Sequence, residues 1–125
     1  MYHFEKLDTK QKVFDYVAKK LYDQGCTSVT THGRCMYRGV NGTKCAVGHL
    51  IPSNLYNSKM EGLLFRVHQS SKSERLKSFL NSNHDLLHDL QKAHDSIHNS
   101  YPFHPQLLQN LSNLATKYNL HPFHP

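Results

Sequence analysis

Apolar residues return at helical spacing through most of this chain, and the rhythm breaks in one place, between residues 26 and 45. In the first rhythmic stretch Val13, Phe14, Val17, Ala18, Leu21 and Tyr22 share one helical face, the spacing of a buried stripe. Asp8 or Thr9 can accept from the first free N–H groups, and Gly25 offers a left-handed stop after about Gln24. Ser73 can cap a helix carrying Leu76, Phe79 and Leu80. Ser82 or Asn83 can cap the longest helix, with Leu86, Leu87, Leu90, Ala93 and Ile97 as its stripe. Pro105 opens a last helix with Leu107, Leu108, Leu111, Leu114, Ala115 and Tyr118, and a short helix is expected over 60–67.

Where the rhythm breaks, Ser28-Val29-Thr30-Thr31 and Cys35-Met36-Tyr37-Arg38 are short and rich in β-formers. Asn41-Gly42 is a strong turn signal, and Gly33 and Gly39 punctuate the run. The expectation is a small β-hairpin near residues 27–45, hence an α+β class: a mostly helical single domain over 1–125. Residues 46–51 are apolar and suit a short helix or buried turn before Pro52. Pro-Phe-His-Pro occurs at 102–105 and again at 122–125, inside the proline-rich tail 119–125. Two such short matches are no structural repeat; they read as stiff connectors whose Phe103 and Phe123 dock on the core.

A chain of 125 residues suits one core. Its formal charge is +6 with eleven histidines neutral, so its summed field attracts anions such as nucleotides or acidic protein surfaces. Lys10, Lys12, Lys19 and Lys20 cluster on the first helix, but Asp15 and Asp23 interrupt them and no helix-turn-helix or RNP pattern follows. Only weak, salt-sensitive nucleic-acid binding is expected. The first ten residues are polar, and no apolar run approaches the roughly 20 residues of a membrane span. The expected setting is a reducing cytoplasm, with Cys26, Cys35 and Cys45 as thiols or ligands.

The segments Cys35-x-Tyr37-Arg38-Gly39, Gly42-x-Lys44-Cys45-Ala46-Val47-Gly48-x-Leu50-Ile51-Pro52, Met60-Glu61-Gly62 and Leu90-Gln91-x-x-His94-Asp95 together resemble a family of small phage and prophage proteins. The resemblance runs in the same order over about two thirds of the chain. It implies a mobile-element setting and action in the host cytoplasm, and it carries over no activity or catalytic residue.

Three chemistries compete at the glycine-dense stretch. For anion binding, Arg34, Arg38 and Lys44 flank the 39–42 turn, where N–H groups near Gly39 and Gly42 can cradle phosphate oxygens. Tyr37 or Tyr56 can stack on a base, His49 lies close in sequence, and no standard nucleotide-binding glycine motif is present. For nucleophilic catalysis, Cys45 follows Lys44 at the start of an apolar run, with His94 and Asp95, or His49, as base and orienter. A structural cysteine is the plainer alternative. For a metal, the Cys26, Cys35 and Cys45 spacing is no zinc motif. His84, His88, His94 and His98 form a stripe beside the leucines without the zincin glutamate, and the His-Asp dipeptides only weakly resemble phosphohydrolase ligands. No cofactor or metal is expected.

The favoured reading is a binder that sequesters a phosphate-bearing ligand, plausibly a nucleotide immune signal of the host, as a counter-defence. The alternatives are a Cys45 enzyme and an inhibitor covering an acidic host protein. Self-association into a homo-oligomer would help so small a domain enclose a pocket.

Overall fold

The computed structural model describes residues 2–28, 36–61, 71 and 73–125. Four α-helices appear among them: α1 (Lys10–Gln24), α2 (Glu74–Ser82), α3 (His84–Asp95) and α4 (Phe103–Lys117). Single 3-10 turns occupy Phe4–Lys6, Val40–Gly42, Gly48–Leu50 and Ser58–Met60.

The helix signals translate directly. Thr9, not Asp8, caps α1, its side chain accepting from the Lys12 N–H at 3.1 Å, and Gly25 ends the helix in the left-handed region at φ 75°. Ser73 caps α2 through the Leu76 N–H at 3.2 Å. Asn83 sits between α2 and α3 and serves the earlier helix: its amide donates to the Phe79 carbonyl at 2.9 Å, and it makes no side-chain cap on α3. α3 ends at Asp95, so it is shorter than α1 and α4, and Ile97 is buried from beyond the helix end. α4 starts earlier than Pro105, which fits because a first-turn proline forfeits no helical hydrogen bond.

α3 packs against the other three helices, α1 also touches α4, and the buried side chains form one cluster. Phe14, Leu21, Leu76, Leu86, Leu90, Leu107 and Leu111 fill its centre. The tail lies against α1. Gln11 donates to the His121 carbonyl at 3.2 Å and accepts its N–H at 2.8 Å, while Phe123 meets Tyr22 at 5.8 Å between ring centroids.

The hairpin expected near residues 27–45 does not appear in the described residues of that stretch. Among the described residues there is no strand, so the described part of the protein is helical with an irregular insertion, and the α+β class is not upheld. The turn chemistry itself holds. Asn41 (φ 58°) and Gly42 (φ 74°) both take left-handed angles, the Thr43 N–H reaches Val40 O at 3.2 Å, and the Gly39 N–H reaches Thr43 O at 2.8 Å. Around that turn the N–H groups of Tyr37, Arg38 and Lys44 are taken by side chains instead of a ladder. Residues 29–35, and residues 62–67 of the helix expected over 60–67, lie outside the described residues, while Met60 closes the Ser58–Met60 turn.

Candidate functional site

Long polar side chains from outside the 36–51 segment satisfy its backbone. Glu61 accepts the Tyr37 and Arg38 N–H groups at 2.9 and 3.1 Å, and the Tyr56 hydroxyl donates to the same carboxylate at 2.6 Å. Gln24, at the end of α1, accepts the Lys44 N–H and donates to the Lys44 carbonyl, both at 2.8 Å. Gln91 of α3 accepts the Val47 N–H at 3.1 Å and passes its amide hydrogen to Asp95 at 3.1 Å. The loop is thereby stitched to the first and third helices without sheet pairing.

Arg38 belongs to this stitching. Its guanidinium donates to the Ile51 carbonyl at 2.8 Å and the Ser53 hydroxyl at 3.4 Å, and lies 4.8 Å from the Tyr56 ring centroid. Its cation therefore ties the loop to the following turn before any ligand arrives.

Beside this tie, a cavity of about 480 Å³ opens between α1 and the loop. Tyr2, Tyr16, Lys20, Lys44, His49 and the 51–54 segment line it, and no carboxylate does among the described residues. Tyr2 stacks on Tyr16 with centroids 4.8 Å apart, its hydroxyl donates to the Leu50 carbonyl at 2.8 Å, and burial pushes both phenols up. The Lys20 ammonium lies 5.5 Å from the Tyr16 centroid.

Charge in the cavity is one-sided. Partial burial, then the Arg38 and Lys20 charges, lower the Lys44 ammonium from its ordinary value. Burial, then Lys44, His94, Lys20 and Arg38, push His49 down to about 3, so its imidazole is neutral at physiological pH. Like charges crowd here with no acid on the wall among the described residues to offset them, and an anion would relieve that crowding.

A larger hollow of about 630 Å³ lies between the amino-terminal turn and α2. Its wall mixes Glu5 and Asp8 with Lys10 and Arg75, and Glu5 approaches Arg75 at 3.7 Å. Opposed charges there leave little net field, so size does not make it the better anion site.

Of the expected catalytic trio, Cys45 and His94 lie in the core and Asp95 is half-buried; none of them lines the cavity beside Lys44. Cys45 is 0 % exposed, and burial pushes its thiol up to about 12 against smaller opposing bonds from Gln91 and Gly48. Such a thiol stays protonated at neutral pH, the reverse of an activated nucleophile. His94 is also 0 % exposed, and its Nε2 lies 3.0 Å from the Cys26 carbonyl, which fixes Nε2–H as the donor. Its Nδ1 is 3.9 Å from Asp95 Oδ1, too far for a hydrogen bond, and burial lowers its basicity.

The ligand candidates divide. Lys44 and His49 line the cavity; Arg38 ties down its Ile51 wall, and Gly39, bonded to Thr43 O, does not line it. Gly42 shapes an open turn, and Arg34 lies outside the described residues. Tyr37 is 2 % exposed and so offers no ring to a solvent-borne base. The histidine stripe does not form a single face: His84 and His88 are half-buried, His94 is buried, and His98 is exposed past the end of α3. Among the described residues no group of three metal-ligating side chains converges.

Sequence reasoning missed Tyr2, Tyr16, Lys20, Ser53 and Asn54. Tyr16 and Lys20 are four residues apart on α1, the spacing that aligns side chains along a helix, and that was the available signal. Comparison with protein-family models, with curated proteins and with solved structures finds no match to this chain.

Proposed function

We propose that this protein binds a phosphate-bearing small ligand in the cavity between α1 and the 44–54 segment, and acts by holding it. The observation that carries this reading is the convergence of Lys20 and Lys44 on a wall that has no carboxylate among the described residues. Two ammonium groups give strong, charge-assisted contacts to phosphate oxygens, and Ser53 and Asn54 add neutral donors at the rim. The volume falls within the range of roughly 300–1,000 Å³ usual for small-molecule sites. The paired rings of Tyr2 and Tyr16 supply an apolar flank suited to a base or sugar.

Capture by affinity fits the site better than turnover. His49 on the wall is neutral, and the cysteine proposed as nucleophile is closed to solvent. Given the resemblance to phage proteins, a nucleotide signal of the host's defence is the first ligand to try, with sequestration as the counter-defence. Titration calorimetry against inorganic phosphate and a panel of nucleotides tests the reading. Lys20→Ala with Lys44→Ala should weaken binding about tenfold or more, a loss on the order of 1.4 kcal/mol. Unchanged affinity in a folded double variant rejects the site.

A further inference from the structure

We propose that Lys44 captures its ligand covalently and reversibly, forming an imine with a small aldehyde that carries a phosphate group. This rests on the phosphate reading above and adds a bond to it. The lysines of this protein differ in what holds their charge. Lys12 is paired with Asp8 at 2.7 Å, Lys19 with Asp23 at 3.0 Å, Lys77 with Glu74 at 3.3 Å and Lys117 with Asp89 at 2.7 Å. Lys44 faces a cavity that it shares with a second amine, Lys20, and with no carboxylate among the described residues. It is half-buried at the cavity wall, and among the described residues the charged groups that bear on it, Arg38 and Lys20, are both cations. A lysine partly withdrawn from water beside another ammonium gives up its proton more readily, and the free amine is the form that attacks carbonyl carbon. Lys20, more exposed and over the Tyr16 ring, lines the same cavity and can meet the phosphate.

The step balances without a redox partner. The Lys44 Nζ lone pair forms a bond to the aldehyde carbon, and the carbonyl oxygen takes up a proton. The resulting carbinolamine loses that oxygen as water, leaving a carbon–nitrogen double bond. Hydrolysis reverses it, so capture is reversible and nothing is consumed.

Pyridoxal 5′-phosphate is a suitable probe because it joins an aldehyde to a phosphate. The full-length protein is incubated with it at neutral pH, the imine is fixed with borohydride, and the modified lysines are located by peptide mass spectrometry. The adduct is expected on Lys44 at about tenfold the level on Lys12 or Lys19, and it should disappear in Lys44→Arg. Labelling spread evenly over the exposed lysines overturns the proposal, and the wild-type map decides this even if the variant fails to fold. Pyridoxal without phosphate is run in parallel. Equal preference for Lys44 with both aldehydes leaves the imine standing and removes the phosphate reading. Phosphate binding by calorimetry without any Lys44 preference does the opposite.

Discussion

At Gly48 the absence of a side chain is a packing requirement. A Cβ built there would overlap the Tyr37 carbonyl, which is backbone and cannot swing aside. The glycine lets the Gly48–Leu50 turn lie close on the segment that holds Tyr37 and Arg38. Gly48→Ala should destabilise the fold by about 1–3 kcal/mol, as overpacked sites do, and lower the urea midpoint. A variant with wild-type stability would mean that the two segments are not in contact. Gly42 makes the useful comparison: an added Cβ meets nothing within 4 Å, and the strain there comes only from φ 74°.

At the scale of elements, the helices could be read from the sequence because their signals are local. A stripe, a cap and a stop lie within a few residues of one another in α1 and α2. The 36–51 segment could not, since what holds it comes from Gln24, Glu61 and Gln91, far away along the chain. β-forming residues and an Asn-Gly turn point to a hairpin, yet a hairpin also needs a second strand to receive its N–H groups. Long polar side chains received them instead. The site was half visible for the same reason. Lys44 and His49 stand in the conspicuous segment, whereas Lys20 and Tyr16 are ordinary residues of a helix. Glu61→Ala should therefore cost more than a surface carboxylate would, about 1–3 kcal/mol, because two backbone donors lose their acceptor. Chemical denaturation reads that cost, and a change within error would show that water replaces the carboxylate freely.

The whole molecule should be sensitive to acid. His49 and His94 are both held neutral by burial, His49 down to about 3. In the unfolded chain an imidazole titrates near ~6.5. Between those values the unfolded state binds protons that the folded state refuses, so stability is full above ~6.5 and falls as the pH drops. Asp89, held low by Lys117 and Tyr118 against its own burial, adds a loss of the same sign below the usual carboxylate range. Thermal midpoints should fall steadily from neutral pH to pH 5, and His94→Gln should flatten that slope. A midpoint that rises on acidification would contradict the burial of these rings.

The clasp between Gln11 and His121 joins groups 110 positions apart. During synthesis, then, that flank of α1 stays uncovered until residues 121–123 have emerged, long after the helix itself. For that interval Tyr22 lacks its Phe123 cover, giving chaperones or proteases their opening on the nascent chain.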